Sequence, residues 1–273
     1  MVNDDARNRA IEQSIAALGV EGKTVVEIGS GTGLIALLFA KHGAARVVGC
    51  EMNTTLARAA QAIVGDTAYA DRVTIIDGSS TAAIERGLLP DAPDVIFSET
   101  LDCGVVGEGF LPIADDIERL AGPHTVIMPS AVRQFAALID SVSLVNLNRA
   151  GHTCGFDLGR LNTYATGNYY PVHTELHRHR FLSASQQVRT YTYVECPEPA
   201  PVTLRVTGTG TVHGLLSWFA ADFGAGTVSN EPLSGSHWHQ AFHPLSEDIA
   251  VEAGDSISIL IDDGGFGWAE RPR

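Results

Sequence analysis

Short apolar runs alternate with helical stretches along the first half of the chain. Between residues 24 and 128 the runs TVVEI, RVVGC, RVTII, PDVIF and HTVIM are separated by segments such as LIALLFAKH and TLARAAQAIV. This alternation is typical of parallel strands that are joined by crossover helices. We therefore predict an α/β domain over residues 1–129.

The pattern changes near residue 130. The runs VRTYTYVE, VTLRVT, TVHGLLSWFAA and SISILI follow one another with glycine and proline between them. Strands that are separated by turns, without helices, favour an antiparallel sandwich or barrel. We predict a mostly β domain over residues 130–273, in which the stretch 151–180 is too irregular to assign.

Charge and composition narrow the functional classes. The chain has 273 residues, of which 45% are hydrophobic, and its formal net charge is −14. This charge repels a phosphate backbone, so we expect a cationic substrate and no nucleic-acid partner. No apolar run approaches the ~20 residues of a membrane span, and the first ten residues lack the apolar core of a signal peptide. We expect a cytoplasmic protein without a membrane partner.

Neither the cysteines nor the histidines follow a metal-binding pattern. The cysteines lack CxxC spacing, so we expect reduced thiols and neither a zinc ribbon nor a disulfide framework. The histidines of HTELHRHR, at residues 173–180, are interleaved with arginines and have no pair of carboxylates nearby. We predict no metal site.

A glycine-rich loop follows the first predicted strand. In VVEIGSGTG, Gly29, Gly31 and Gly33 let a ligand approach the backbone, and the next helix points its N-terminal amides at the same place. A dinucleotide fingerprint needs glycine where Leu34 stands, so nicotinamide and flavin cofactors are disfavoured. Glu51 ends the second strand, where a carboxylate can bind ribose hydroxyls. Together these features are typical of S-adenosylmethionine-dependent methyltransferases; the alternative is an ordinary strand-to-helix turn.

Three acids lie in one loop after the fourth predicted strand. The segment IFSETLDCGVVGEGF contains Glu99, Asp102 and Glu108. Ligands of a doubly wound sheet bind beyond the carboxyl ends of its strands, so this loop faces the same crevice as the glycines. Two carboxylates there can bind a planar guanidinium by paired hydrogen bonds, which favours an arginine-like substrate. A glycosidase acid pair is the rival interpretation, but it leaves the glycine loop unused.

The acid loop resembles the double-glutamate loop of the protein arginine N-methyltransferases. SETLDCGVVGE keeps that family's spacing from Glu99 to Glu108, and ETLDCGVVGEGFLP, with Asp102, is similar to its type III, monomethylating branch. VHGLLSWF resembles the family's barrel strand, and SHWHQ its Thr-His-Trp loop. The resemblance implies a Rossmann-like methyltransferase domain followed by a β-barrel-like substrate and dimerisation domain, S-adenosyl-L-methionine as cofactor, and a homodimer.

The resemblance also implies roles for individual residues. Glu99 and Glu108 would orient the guanidinium and concentrate its positive charge on the bound edge. The remaining implied donor contacts are Arg7, Glu27, Gly29, Gly31, Gly33, Glu51, Met52, Gly78, Ser79 and Ser80, besides Glu99 itself. The two serines correspond to adenine contacts, with a helix N-cap as the alternative.

The resemblance implies that a second group of residues accepts the proton and contacts the substrate. His237, paired with Asp4, would accept the proton after methyl transfer. Trp238 would stack on the guanidinium or form a wall of its pocket. Asp102 would bind substrate or, equally, stabilise the glycine-rich turn.

Departures from the family pattern favour a small substrate. The sequence begins almost at the helix that carries Arg7, and it ends soon after SILIDDGGFGWAERPR, where family members have further strands. We expect wider access and less surface for a protein substrate. Free L-arginine is therefore favoured, as in bacterial members of specialised metabolism. The resemblance of the acid loop to the type III branch implies that one methyl is transferred, whereas a more open pocket would favour a second transfer. The alternatives are a peptide arginine, another guanidino compound, and a non-catalytic binding protein on the same fold.

Overall fold

A computed structural model describes residues 1–272 and contains a parallel sheet in its first half. The elements of this half are α1 (Asp5–Leu18), β1 (Thr24–Ile28), α2 (Leu34–Lys41), β2 (Arg46–Glu51), α3 (Thr54–Gly65), β3 (Val73–Asp77), α4 (Ser80–Glu85), β4 (Val95–Ser98), α5 (Phe110–Leu120) and β5 (Val126–Met128). The strands pair in parallel in the order β3-β2-β1-β4-β5, which confirms the predicted α/β class. The order reverses between β1 and β4, where such sheets form a ligand crevice.

The second half is built mostly from antiparallel strands, as predicted. Its elements are β6 (Ala131–Asp140), α6 (Val142–Val145), β7 (His152–Thr153), β8 (Phe156–Asp157), β9 (Tyr170–Val172), β10 (Arg180–Phe181), β11 (Gln186–Tyr191), β12 (Val202–Arg205), β13 (Gly210–Asp222), β14 (Thr227–Ser229), β15 (Gln240–Val251), β16 (Ser256–Ile261) and β17 (Gly267–Glu270). The larger sheet has the order β10-β6-β13-β15-β9, with β11 paired to β6 and β14 to β13. A smaller sheet has the order β12-β16-β17.

One hydrophobic core continues from the parallel sheet into the β half. Phe97 in β4 stacks on Phe223 with 5.7 Å between ring centroids. Phe110, the first residue of α5, stacks on Tyr193 at 4.3 Å. These two pairs lie on either side of the acid loop in sequence, so aromatic packing fixes both ends of that loop against the β half.

The stretch 151–180 forms a hairpin of β7 and β8, two short 3-10 helices, Gly159–Tyr164 and Thr174–Leu176, and the strands β9 and β10. Apolar side chains of its first part, including Phe156, Leu161 and Tyr164, are exposed. β9 then pairs with β15 and returns the chain to the larger sheet. This return places Tyr169, which precedes β9, beside the acid loop.

Two kinds of feature are absent from residues 1–272. None of the helices there is long and apolar enough to cross a bilayer. No group of three or more His, Cys, Asp or Glu side chains there is placed to hold a metal ion.

Candidate active site

A cavity of about 740 Å³ opens at the carboxyl ends of β1, β2 and β4. The predicted residues that line it are Arg7, Glu27, Gly29, Gly31, Glu51, Met52, Gly78, Ser79, Ser80, Glu99 and Glu108. The lining leaves out Gly33, Asp4, Asp102, His237 and Trp238. The structure therefore brings most of the predicted donor contacts and both glutamates together in one cavity, whose volume is ample for a cofactor and a small substrate.

The loop between β1 and α2 has room for a ligand against its backbone. Gly29, Gly31 and Gly33 have φ values of 78°, 54° and 78°, a region that other residues rarely adopt. A Cβ on Gly29 would stand 2.8 Å from Thr100 Cγ2, whereas one on Gly31 would have no heavy atom within 4 Å. Gly31 therefore opens onto the cavity, and Gly33 serves as the N-cap of α2.

Backbone amides hold the Glu51 carboxylate at the end of β2. Its Oε2 accepts a hydrogen bond from the Gly31 N–H at 2.9 Å, and its Oε1 accepts one from the Asn53 N–H at 2.8 Å. The side chain is buried but lines the cavity. Each oxygen retains a lone pair, so the carboxylate can accept the two hydroxyls of a ribose.

Ser79 and Ser80 lie where α4 begins. Ser79 Oγ accepts a hydrogen bond from the Ala82 N–H at 3.2 Å, so this serine caps the helix. Ser80 Oγ donates to Asp116 Oδ2 at 2.6 Å. The N-cap alternative is therefore present for Ser79, and the adenine contacts stay a prediction. Sequence reasoning missed Asp116, a buried acid in the cavity wall, because α5 has the pattern of an ordinary amphipathic helix.

Glu99 forms a buried ion pair with Arg7. Arg7 Nε donates to Glu99 Oε1 at 2.6 Å, and Arg7 Nη2 pairs with the other carboxylate oxygen. Burial lowers the pKa of Arg7 to about 10, although the charges of Asp4 and Glu27 oppose this shift. The guanidinium therefore stays charged at neutral pH and fixes the orientation of Glu99. Each carboxylate oxygen keeps one lone pair for a further N–H donor.

Glu108 has a different environment at the other end of the loop. Its side chain is exposed at the cavity. Partial burial of the carboxyl group and the negative charge of Asp102 raise the pKa of Glu108. A cation that binds between the two glutamates would thus meet one carboxylate neutralised by Arg7 and one whose charge is free to attract it.

Asp4 and His237 form a pair at the start of α1. His237 Nδ1 lies 2.8 Å from Asp4 Oδ2, and Asp4 Oδ1 accepts from the Arg7 N–H at 2.9 Å. Burial lowers the pKa of His237, and Asp4 opposes this shift. When Nδ1–H donates a hydrogen bond to the Asp4 carboxylate, Nε2 carries the basic lone pair of the imidazole. This Nε2 is buried and has no partner within residues 1–272.

Trp238 and Asp102 both support the acid loop. Trp238 is 7% exposed, and its indole Nε1–H donates to the Leu101 carbonyl at 2.8 Å. Asp102 Oδ1 accepts from the Gly104 and Gly107 N–H groups at 3.1 Å and 3.0 Å. Both side chains thus have partners inside the fold, which matches the turn-stabilising alternative for Asp102. Their contacts with substrate stay predictions.

Comparisons with known proteins decide the family. No protein-family model matches the chain. The chain is 36% identical over 276 residues to an arginine N(omega)-methyltransferase from Streptomyces achromogenes subsp. streptozoticus, across 99% of this chain and 75% of that protein. The chain belongs to the protein arginine N-methyltransferase family. It is also 28% identical over 260 residues to probable histone-arginine methyltransferase 1.3 of Arabidopsis thaliana, and this match covers 87% of the chain but only 47% of the plant protein.

Two solved structures share the fold of this arginine methyltransferase. The Trypanosoma brucei PRMT1 enzyme–prozyme heterotetrameric complex with AdoHcy superposes with a TM-score of 0.81 at 21% identity, covering 96% of this chain and 86% of that one. Arabidopsis thaliana protein arginine methyltransferase 10, in an open conformation, gives 0.75 at 22% identity with the same coverage. The predicted Rossmann-like domain followed by a β-barrel domain is therefore confirmed.

Family membership makes the protein an S-adenosyl-L-methionine-dependent N-methyltransferase, and its residues fit that donor. Glu27 lines the cavity, is 1% exposed, and its Oε2 has no hydrogen-bond partner among the described residues. Burial raises the pKa of the Glu27 carboxyl to about 8, while Arg7 opposes the shift. The ammonium group of an amino-acid-derived donor would supply the missing partner and favour the ionised form. Arg7 and Glu27, one of each charge, suit the two charged groups of such a donor.

Sequence reasoning also missed Tyr169, which contacts the acid loop of this methyltransferase. It belongs to the stretch left unassigned, and its hydroxyl donates to Asp102 Oδ2 at 2.6 Å. The loop sequence does indicate that a large side chain can pack there, because Gly104 and Gly107 leave room for a ring. The loop sequence alone does not identify which aromatic residue occupies that space.

Proposed function

We propose that the protein transfers one methyl group from S-adenosyl-L-methionine to a guanidino nitrogen of free L-arginine and forms Nω-monomethyl-L-arginine. Arginine methylation is the activity of the family; the free amino acid and the single methyl are the proposal. It rests on one observation above all, that Glu99 and Glu108 share a cavity with the glycine loop after β1.

Similarity to known proteins supports the free amino acid. The Streptomyces relative, whose name specifies arginine, aligns with 99% of the chain. The match to the plant relative, whose name specifies histone, is weaker at 28% identity, and the chain spans about half of that protein. The net charge of −14 favours a cationic guanidinium substrate of either kind and does not discriminate between them.

The two glutamates act on a substrate that is hard to deprotonate. A guanidinium has a pKa above ~12, so its attacking nitrogen must be activated without prior loss of a proton. Glu99, fixed by Arg7, and Glu108 accept N–H groups of the guanidinium and draw its positive charge toward the bound edge. When bound, S-adenosyl-L-methionine supplies an electrophilic methyl on a sulfonium. Glu99 and Glu108 would orient the free nitrogen toward that methyl, so that the N–C bond would form as the S–C bond broke.

The proton released by the new methylguanidinium requires an acceptor. His237 is assigned this role because its Nδ1 lies within hydrogen-bonding distance of Asp4 and its buried Nε2 has no partner within residues 1–272. Since burial lowers the pKa of His237, the imidazole is neutral near pH 7 and can accept a proton. Asp4 would stabilise the resulting imidazolium.

Competition between substrates tests the proposal. Purified protein, S-adenosyl-L-methionine and equal concentrations of free L-arginine and an arginine-rich peptide are incubated together, and both products are quantified by mass spectrometry. We expect kcat/KM for the free amino acid to exceed that for the peptide by about tenfold or more, since a peptide lacks the α-ammonium and α-carboxylate groups. Peptide methylation with free arginine inert would favour the peptide alternative. Donor binding without any methylation would favour a non-catalytic binding protein.

Self-association stays a prediction. Apolar side chains are exposed at Phe156, Leu161 and Tyr164. The Trypanosoma relative was solved as a heterotetrameric complex. Both observations are compatible with oligomerisation in general, and the homodimer itself stays a prediction.

A further inference from the structure

The ring of Tyr169 packs closely against the backbone of three glycines. A Cβ on Gly104 would stand 2.5 Å from Tyr169 Cζ, and a Cβ on Gly107 would stand 2.5 Å from Tyr169 Oη. A Cβ on Gly265, in the turn between β16 and β17, would overlap the other edge of the same ring. Because any side chain at these positions would displace the ring, the acid loop and the β half are shaped around Tyr169.

The Tyr169 hydroxyl holds the acid loop through Asp102. It donates to Asp102 Oδ2 at 2.6 Å, while Oδ1 of the same carboxylate accepts from the N–H groups of Gly104 and Gly107. Burial and the adjacent charge of Asp102 raise the pKa of Tyr169, so its hydroxyl remains a donor at physiological pH. One carboxylate thus joins the tyrosine to two backbone amides of the loop.

Neighbouring residues hold Tyr169 itself in place. The Asn168 side chain accepts from the Tyr169 N–H at 2.7 Å and donates to the Gly264 carbonyl at 3.1 Å. The Tyr169 ring also packs against His243, with 5.5 Å between centroids. His243 is fully buried, and its Nδ1 lies 2.9 Å from the Gly265 carbonyl. These hydrogen bonds and the ring packing together fix the position of the Tyr169 hydroxyl.

Glu108 directly follows the clamped amide of Gly107. The loop between them and Asp102 includes Val105 at φ 81°, a conformation that a β-branched residue adopts only when its surroundings impose it. A planar guanidinium requires the Glu99 and Glu108 carboxylates at a set separation, and a shift of about 1 Å is enough to lower catalysis strongly. The position of Glu108 therefore depends on what holds Gly107.

We propose that Tyr169 is a positioning residue for methyl transfer, which acts through Asp102 to fix Gly107 and thereby to set Glu108 opposite Glu99. This inference rests on the proposed function, since it concerns the guanidinium site of the same reaction. It gives a role to a residue of the stretch 151–180.

The test compares adjacent tyrosines. Tyr169→Phe removes only the hydroxyl at the loop, and Tyr170→Phe is the matched control, because the Tyr170 hydroxyl donates to the Leu144 carbonyl at 2.8 Å, away from the loop. We expect Tyr169→Phe to lower kcat/KM for L-arginine by about tenfold or more, with a raised KM for arginine. Donor affinity and stoichiometry in calorimetric titration should stay within about twofold, because the donor side of the cavity is untouched. A mere loss of folded protein would instead reduce the stoichiometry and leave both KM values unchanged.

A double-mutant cycle with Asp102→Ala tests the route of action. If Tyr169 acts through Asp102, kcat/KM of the double variant equals that of Asp102→Ala alone, because the Tyr169 hydroxyl no longer has a carboxylate to which it can donate. Fully additive losses would overturn the proposal, as would an unaffected Tyr169→Phe variant in a protein whose wild type methylates arginine. A wild type that does not methylate arginine at all would overturn the proposed function first, and the positioning role with it.

Discussion

Glu99 and Glu108, to which we assign the guanidinium site, occupy unequal environments. Glu99 is buried and paired with Arg7, whereas Glu108 is exposed at the cavity and has a raised pKa. Two unpaired carboxylates in one site would repel each other when no substrate is bound. Neutralising one of them through a fixed arginine keeps the acids close together and leaves Glu108 to respond to the substrate charge.

Glu108→Gln should lower kcat about a hundredfold, because one preorganised charge is lost from the transition state. Since burial and Asp102 raise the pKa of Glu108, the active carboxylate is lost as pH falls through this raised value. The acid limb of the wild-type pH–rate profile should therefore lie above the ordinary glutamate pKa of about 4.3. Steady-state kinetics at saturating donor measure both effects.

The control for this variant is Glu118→Gln, which removes the same charge from an exposed position of α5. It should leave kcat and the acid limb unchanged. Equal losses of kcat in both variants, or an unchanged kcat in Glu108→Gln, would contradict the assignment of Glu108.

At the level of elements, the loop between β1 and α2 lines the cavity, and we assign the donor side to it. Gly31→Val should abolish donor binding, since its side chain would enter open space that faces the cavity. The positive φ of 54° at this position adds a strain of about 1–3 kcal/mol to the folded state. Calorimetric titration with S-adenosylhomocysteine measures the loss of binding.

Gly22→Val is the matched control for strain. Gly22 has a φ of 73° and also has no heavy atom within 4 Å of its Cβ position, but it is absent from the cavity lining. Both variants should be destabilised by a similar amount in thermal unfolding. Retained donor affinity in a folded Gly31→Val protein would refute the donor site.

The elements that sequence reasoning predicted are those with local causes. Strand and helix periodicity predicted the parallel sheet. The glycine loop, Glu51 and the acid loop predicted where its ligand crevice lies, and the family resemblance implied further residues of the cavity lining. The stretch 151–180 has no such period, and its key contact joins Tyr169 to Asp102, 67 positions earlier. The buried Trp238 illustrates the same limit, because its indole bonds to Leu101 across 137 positions. Contacts of this kind depend on the finished fold and leave no pattern in either segment alone.

At the scale of the whole molecule, the two halves share one core although the sequence divides clearly near residue 130. On either side of the acid loop, Phe97 stacks on Phe223 and Phe110 stacks on Tyr193, so aromatic contacts join the parallel sheet to the β half. The α/β half therefore supplies the donor site and both glutamates. The β half supplies the surface that holds their loop in place.

The mass of the product tests the central claim most directly. Wild-type protein is incubated with S-adenosyl-L-methionine and free L-arginine, and the products are identified by chromatography with tandem mass spectrometry. We expect Nω-monomethyl-L-arginine as the dominant product, with S-adenosylhomocysteine formed in equal amount. Dominant dimethylarginine would contradict the single transfer, and the absence of any methylated arginine would contradict a guanidinium site between Glu99 and Glu108.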